Sequence, residues 1–377
     1  MTLRTAWVAI SAMFILNGAL FGIWASRVPA VAALFDLSHG ELGVLLLSLA
    51  AGAICSFPFA GKAVDGRGAA KVTKVIAVIY PFTLILLPLA PNSIALGVAL
   101  FLFGAAHGAM DVAMNSWGAE VERHFKSRVM SSFHAMFSFG AGLGALSGYV
   151  AVQAGAGLFA HFLTASVLIS VATLYFTRIP WTSRTSEKRD RPIFAFPSGP
   201  LLLVGLVALC ASLGEGAMAD WGAVYLREIA VASESTAALG YAVFSIAMVV
   251  VRLLGDKITM KTGPVLAARL GGGFAAIGVL SAIFIPSVEA VLFGFSMLGI
   301  GYAVIMPLAF SRAANDPDVP PGQAISSVAT LGYGGMLLGP PAIGFLASLT
   351  DLRTAFGLLA VLAVLIMVVA SSLKSDA

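Results

Sequence analysis

Long apolar stretches separated by short polar connections run along the whole chain. A helix needs about 20 apolar residues to cross the hydrocarbon core of a bilayer, and twelve segments reach that length. They lie at roughly 5–27, 41–61, 72–90, 93–118, 129–152, 157–178, 200–223, 236–254, 264–285, 288–311, 323–348 and 353–372. The pattern predicts an all-α membrane protein with twelve transmembrane helices.

The two halves of this pattern resemble each other. At an offset of 195 residues, or 197 near the start of each half, identical residues coincide: Gly68 with Gly263, Gly140 with Gly335, Gly144 with Gly339, and Trp24 with Trp221. Repeated halves are typical of secondary transporters, although a repeat could also serve folding alone. We predict two pseudo-symmetric six-helix bundles, 1–178 and 200–377, joined by a cytoplasmic linker at 179–199.

Composition and charge agree with a membrane location. The chain is 59% hydrophobic and 11% charged, whereas a soluble domain carries about 25% charged residues. Nineteen lysines and arginines fall on one predicted side, and only Arg27, Arg227 and Arg353 fall on the other. This positive-inside asymmetry predicts a multi-pass protein of a bacterial inner membrane with both termini cytoplasmic. The net charge of +4 is therefore a topology signal and not evidence for nucleic-acid binding.

Several classes of chemistry have no support in the sequence. The two cysteines, Cys55 and Cys210, lie far apart within apolar segments, so they form neither a metal motif nor a disulfide framework. No Walker-type phosphate loop and no catalytic triad spacing is present. We therefore expect no enzyme activity, cofactor, metal or nucleic-acid partner. We expect a monomer that binds lipid, a small solute and a proton, with sodium as the alternative ion.

A loop after the second span carries a family resemblance. Residues 61–68 read Gly-Lys-Ala-Val-Asp-Gly-Arg-Gly and resemble the signature loop of the major facilitator superfamily, except that the base stands one place later than usual. A looser copy lies at residues 252–263. The resemblance implies the major facilitator fold and a cytoplasmic gate of charged residues, which are Asp65, Arg67, Asp256 and Lys257. A tight turn with positive-inside anchors is the alternative.

A second set of motifs is more specific. The sequence Asp111-Val-Ala-Met-Asn115, residues 120–140, and residues 214–221 are together similar to the MosC-like branch of the superfamily, a neighbour of the fucose permeases. This resemblance implies a weak link to sugar- or inositol-like solutes.

Ionisable residues within spans are costly and usually functional. His107, Asp111 and Asn115 are spaced four apart and so share one face of span four. Asp111 and His134 fall at similar depth in spans four and five, so they could form a proton-coupling pair. A structural hydrogen bond that fixes the two helices is the alternative.

Two acids of span seven are further candidates. Glu215 stands between two glycines, which is typical of a flexible or closely packed helix near a transport site. We assign Glu215 to proton coupling, with a helix–helix hydrogen bond as the alternative. Asp220 stands beside Trp221 near the outer end of the span, where anchoring at the interface is as well supported as solute binding.

Neutral polar and aromatic groups are the candidate solute ligands, because amide hydrogen bonds and stacking on aromatic faces suit sugars. The candidates, including one histidine, are Asn17, Trp24, His107, Asn115, Tyr241, Tyr302, Gln323 and Tyr333. For Trp24 and Trp221 an interfacial aromatic belt is the alternative.

These observations favour a secondary active transporter. Its expected mode is proton-coupled symport of a small polar, sugar- or polyol-like solute by alternating access. Proton-driven efflux is the first alternative, although span five lacks the proline of the Gly-Pro element found in some exporters. A non-transporting membrane sensor on a transporter scaffold is the second. The Gly339-Pro340-Pro341 sequence should bend span eleven or loosen its backbone bonding.

Overall fold

Helices account for all regular structure in the part of the chain that is described. The structure, a computed structural model, describes residues 2–126, 129–183, 185, 196–319 and 321–374. The first six helices are α1 (Leu3–Leu34), α2 (His39–Arg67), α3 (Ala69–Leu86), α4 (Ser93–Phe125), α5 (Met130–Gln153) and α6 (Leu158–Phe176). The others are α7 (Pro200–Glu228), α8 (Glu234–Thr262), α9 (Pro264–Phe284), α10 (Val288–Tyr302), α11 (Ile305–Ala314), α12 (Pro321–Leu349) and α13 (Leu352–Val369).

The helices pack into two units. Unit 1 consists of Met1–Leu37 and Val44–Ile193, and unit 2 consists of Ser38–Gly43 and Phe194–Ala377. The sequence-based boundaries at 178 and 200 stay a prediction, because most of the predicted linker lies outside the described residues.

The helix lengths confirm the predicted fold class. Within the described ranges, 11 helical segments are long and apolar enough to cross a membrane. Helix α12, with 29 residues, is the twelfth. At about 1.5 Å per residue it extends for ~43 Å, which exceeds the ~30 Å hydrocarbon core. Several helices are longer than their predicted spans: α1 continues to Leu34, and α2 continues to Arg67.

The tenth span is interrupted near its middle. Helix α10 ends at Tyr302 and α11 begins at Ile305, within one apolar segment, Val288–Ala314. Pro307 explains the break, because it has no N–H for the carbonyl of Ala303 and its ring crowds the preceding turn. The span predicted at 288–311 is present, but it is not the continuous helix that the apolar pattern suggests.

Equivalent helix crossings in the two units confirm the predicted repeat. A Cβ atom added at Gly140 of α5 would lie 2.2 Å from the carbonyl oxygen of Ile15 in α1. One added at Gly335 of α12 would lie 2.4 Å from the carbonyl oxygen of Leu209 in α7. Only glycine permits backbones to approach so closely. The two glycines are related by the 195-residue offset, so both units use the same device at the same position.

The turns that join α2 to α3 and α8 to α9 are also equivalent. Gly68 and Gly263 adopt φ of 87° and 77°, a region that favours glycine. Because Gly68 alone separates α2 from α3, Asp65 and Arg67 lie in the last turn of α2. The segment interpreted from sequence as a loop is therefore mostly helical.

Candidate functional site

A histidine of unit 1 is enclosed by aromatic rings. The Nδ1 atom of His107 in α4 shares a hydrogen bond of 2.9 Å with the hydroxyl of Tyr80 in α3. The ring of Phe21 in α1 stacks on the imidazole with centroids 4.8 Å apart. His107 is buried, so these contacts hold it between three helices.

One turn further along α4, Asp111 and Asn115 interact directly. The Nδ2 atom of Asn115 donates to the Asp111 carboxylate at 3.0 Å and to its backbone carbonyl at 2.9 Å. Both side chains are half-buried. The spacing of four residues thus brings these two groups together, as their shared helix face requires.

His134, the proposed partner of Asp111, lies on α5. Its ring meets the ring of Phe14 edge-on with centroids 5.3 Å apart. The proton-coupling pair of Asp111 and His134 stays a prediction.

Asn17 of α1 lies between the two aromatic residues that contact these histidines. Phe14 precedes it by three residues and Phe21 follows it by four, so the three share a helix face. Asn17 is fully buried, and neither its Nδ2 nor its Oδ1 atom has a hydrogen-bond partner among the described residues. A buried amide without partners is costly, which makes Asn17 a strong candidate to bind a polar ligand.

Unit 2 contains a charge pair within its helices. The Nη2 atom of Arg252 in α8 lies 3.3 Å and 3.4 Å from the two carboxylate oxygens of Glu215 in α7. The side chains are 10% and 18% exposed, respectively. Arg252 is one of the nineteen cations that the sequence pattern assigns to the cytoplasmic side, but its guanidinium contacts an acid within the spans.

The glycines that flank Glu215 are required by packing. A Cβ atom at Gly214 would lie 2.4 Å from the ring of Tyr302, and one at Gly216 would lie 2.2 Å from the carbonyl oxygen of Met336. The Met336 carbonyl also lacks its helical hydrogen bond, because the residue four positions later is Pro340, which has no N–H. Glu215 is thus set between the broken α10–α11 span and the proline-containing stretch of α12.

Tyr302 ends α10 beside this pair. It is fully buried, and its hydroxyl has no hydrogen-bond partner in the described part of the chain. Across the break, the hydroxyl of Ser212 lies 3.3 Å from the sulfur of Met306. Interrupted spans expose backbone carbonyls near transport sites, and the carbonyl of Ala303 is of this kind.

Tyr241 and Asp220 extend the polar region of unit 2. Both are buried. The hydroxyl of Tyr241 hydrogen-bonds to Ser245, and the tyrosine lies within electrostatic reach of Glu215, Asp220 and Arg252. An anchor at the membrane interface, the alternative for Asp220, does not fit its burial.

The aromatic-belt interpretation of two tryptophans is also wrong. Trp24 and Trp221 are fully buried, whereas belt residues face the headgroup region. The Nε1 atom of Trp221 donates to the carbonyl of Pro340 at 2.8 Å, and Trp24 packs near Phe103.

The other predicted residues lie elsewhere in their units. Gln323 is exposed in the first turn of α12, and Tyr333 is half-buried further along that helix. Lys257 is exposed on α8, while the side chain of Asp256 lies outside the described residues. The gating roles of Asp65, Arg67, Asp256 and Lys257 stay predictions.

Arg252 and Tyr80 are absent from the sequence-based candidates. A signal for Arg252 exists, because it interrupts the apolar run from Met248 to Leu254. No comparable signal exists for Tyr80, since only the packing of α3 against α4 brings it to His107.

Close glycine crossings in both units, together with a charge pair and an interrupted span in unit 2, are features typical of membrane transporters. The family model of the Major Facilitator Superfamily matches residues 6–320, so the chain belongs to this superfamily. It is therefore a transporter and not an enzyme.

Particular relatives narrow the position of the chain within the superfamily. A protein of Sinorhizobium fredii (strain NBRC 101917 / NGR234), described as uncharacterized transporter y4wD, is 45% identical over 373 residues, which is 99% of each chain. Membrane protein MosC of Rhizobium meliloti is 32% identical over 98% of this chain and 89% of its own, which confirms the resemblance to MosC. A crystal structure of a mutant nucleoside transporter NupG shares the fold, with a TM-score of 0.75 and 13% identity over 98% of this chain and 99% of that one.

Proposed function

We propose that the protein is a proton-coupled symporter of a small, neutral, polar solute of the sugar or polyol class, working by alternating access in a bacterial inner membrane. The observation that carries this proposal is the pairing of Glu215 with Arg252 inside unit 2. Ionisable groups within spans usually serve ion or solute movement.

The pair couples a proton to the state of unit 2 through charge. With Glu215 ionised, the two charges compensate each other. Protonation of Glu215 removes the compensation and leaves the Arg252 cation with poor solvation, which is strongly unfavourable. Binding of the proton therefore favours a rearrangement in which the Arg252 charge is better compensated or reaches water. In this mechanism Glu215 is the only acid that has to bind and release a proton.

The neutral character of the solute follows from the same pair. While Glu215 is ionised, it compensates the charge of Arg252, so an organic anion would have to displace that carboxylate. Several buried polar atoms have no hydrogen-bond partner among the described residues, and they include the amide of Asn17 in unit 1 and the hydroxyl of Tyr302 in unit 2. An amide and a phenol pair well with solute hydroxyl groups, since both can donate and accept hydrogen bonds.

A flux measurement in proteoliposomes tests the proposal. Purified protein is first screened by thermal shift against hexoses, inositols, linear polyols, carboxylates and amines, and a solute that stabilises it is used for transport. We expect an imposed inward proton gradient to drive accumulation of a neutral polyhydroxy solute. Accumulation that persists after the gradient is collapsed would contradict coupling, and stabilisation by carboxylates alone would contradict the solute class.

A matched pair of variants identifies the coupling residue. We expect Glu215→Gln to lose gradient-driven accumulation while it still exchanges labelled for unlabelled solute. Glu289→Gln makes the same chemical change at an exposed position in the first turn of α10, and it should transport as the wild type does. Wild-type accumulation by the Glu215 variant would overturn its assignment.

A further inference from the structure

A groove with basic residues at one end lies on the side of unit 1. Its volume is about 510 Å³, and the lining includes Lys71, Lys74, Val75, Val78, Ile79 and Trp181. Five of these residues belong to α3, and Trp181 follows α6 in the chain. None of them belongs to the polar groups assigned above to solute or proton.

The groove changes character along α3. Lys71, Lys74, Val75 and Val78 are spaced by three and four residues and therefore share one helix face. The lysines occupy the beginning of the helix, and the following turns are apolar. Val75, Val78 and Ile79 are 52%, 51% and 52% exposed. Apolar surface exposed within a membrane span faces lipid.

Neither lysine at the basic end forms an ion pair with a described residue. Lys71 is exposed, and no described residue forms a hydrogen bond or an ion pair with it. Lys74 is fixed in place, because its Nζ atom donates to the carbonyl of Ile179 at 3.3 Å and lies 5.6 Å from the Trp117 ring centroid. Trp181 Nε1 donates a hydrogen bond to the carboxylate of Glu120 at 2.9 Å. The lysines therefore offer positive charge to a ligand of the groove.

We propose that this groove binds an anionic phospholipid, with its phosphate at Lys71 and Lys74 and an acyl chain along Val75, Val78 and Ile79. Basic pockets between helices at the cytoplasmic side of a membrane suit anionic headgroups. Tryptophan prefers the headgroup level, and Trp181 lines the same groove as the two lysines. The predicted orientation of the chain places this end of α3 in the cytoplasmic leaflet.

The proposal is tested with purified full-length protein in detergent. Dioleoyl phosphatidylglycerol should raise the thermal unfolding temperature more than dioleoyl phosphatidylcholine, and native mass spectrometry should show it retained. Since one of the two lysines that bind the anionic headgroup is removed, Lys71→Gln should weaken phosphatidylglycerol binding about fivefold. Lys261→Gln, an exposed lysine in the last turn of α8, should bind this lipid as the wild type does.

Two further arms separate lipid from other anions and from a general loss of fold. The soluble headgroup glycerophosphoglycerol should give no stabilisation, because it lacks the acyl chain. Val78→Trp should fill the groove and reduce retention of phosphatidylglycerol while the lipid-free unfolding temperature stays close to the wild-type value. Equal effects of the two phospholipids, unchanged lipid binding by Lys71→Gln, or stabilisation by the headgroup alone would each overturn the proposal.

Discussion

Arg252 of α8 contacts both carboxylate oxygens of Glu215 in α7 through a single nitrogen, Nη2, at 3.3 Å and 3.4 Å. The pair joins two helices that follow each other in the chain, and Gly214 and Gly216 hold the acid close to α10 and α12. Neither partner can be removed without effect on the other, because each compensates the charge of its neighbour.

Loss of one partner should cost more than loss of both. We expect Arg252→Met to destabilise the protein by about 3–5 kcal/mol, the typical cost of an uncompensated buried charge. The double variant Glu215→Met, Arg252→Met should recover a substantial part of that loss. Thermal unfolding of the two single variants and the double variant measures the interaction, and Lys257→Met on the exposed part of α8 is the control. Additive effects of the two single changes would show that the pair contributes nothing.

The glycine at position 216 should resist even the smallest substitution. A Cβ atom there would overlap the Met336 carbonyl, so Gly216→Ala should destabilise by ~1–3 kcal/mol, as other overpacking changes do. A Cβ atom at Gly273 of α9 would meet nothing within 4 Å. Gly273→Ala should therefore be neutral, or stabilise by up to about 1 kcal/mol through helix propensity. Thermal unfolding temperatures of the two variants compare the sites, and equal values would contradict the close crossing.

Two fully buried tyrosines should respond in opposite ways to removal of the hydroxyl. Tyr80→Phe breaks a hydrogen bond with His107 and should cost about 0.5–1.5 kcal/mol. Tyr302→Phe removes a hydroxyl that has no partner among the described residues, so stability should be unchanged or slightly higher. If Tyr302 binds solute, its variant should raise KM for transport. Stability loss at Tyr302 without any change in KM would assign the hydroxyl to the fold.

The start of α13 provides a test by pH. The Asp351 carboxylate accepts hydrogen bonds from the backbone N–H and the hydroxyl of Thr354 at 2.9 Å and 2.7 Å, and these bonds lower the pKa of Asp351 below its ordinary value. A carboxylate whose pKa is lowered by folding stabilises the folded protein at pH values above its ordinary pKa. This contribution is lost as the pH falls through the lowered pKa of the folded state. Asp351→Ala should lower the unfolding temperature at neutral pH and have less effect in acid.

A second variant at this position separates charge from hydrogen bonding. Asparagine is also an effective N-cap, so Asp351→Asn should keep most of the stability at neutral pH and lose the dependence on acid. The same response to acid in both the wild type and the asparagine variant would show that Asp351 does not contribute to it.

The fold follows closely from the sequence, because the length of each apolar segment is enough to locate the spans. The repeat can also be predicted from the sequence. The 195-residue offset relates Gly140 to Gly335, and these two glycines stand at equivalent helix crossings in the two units. The break after Tyr302 is harder to predict. Pro307 signals it, but its effect appears in the preceding turn, and the hydropathy of the segment is unaffected.

The candidate site is less predictable than the fold. The pairing of Asp111 with Asn115 follows from their spacing on one helix. Arg252 lies 18 residues after the start of α8 at Glu234, or ~27 Å along the helix, where sequence cannot tell whether a long side chain reaches cytoplasmic water or turns inward. Its contact with Glu215 depends on how α7 and α8 pack, which no local pattern records.

The interruption of the tenth span has a mechanical consequence. Helices α10 and α11 contain 15 and 10 residues, about 22 Å and 15 Å of helix, so neither crosses the bilayer without the other. The carbonyl of Ala303 already lacks a helical hydrogen bond, and a change of angle at this joint therefore has one fewer bond to break. Because the ring of Tyr302 rests on Gly214, such bending would displace it relative to Glu215. The tenth span can thus act as a hinge, and its bending would change the surroundings of the buried charge pair.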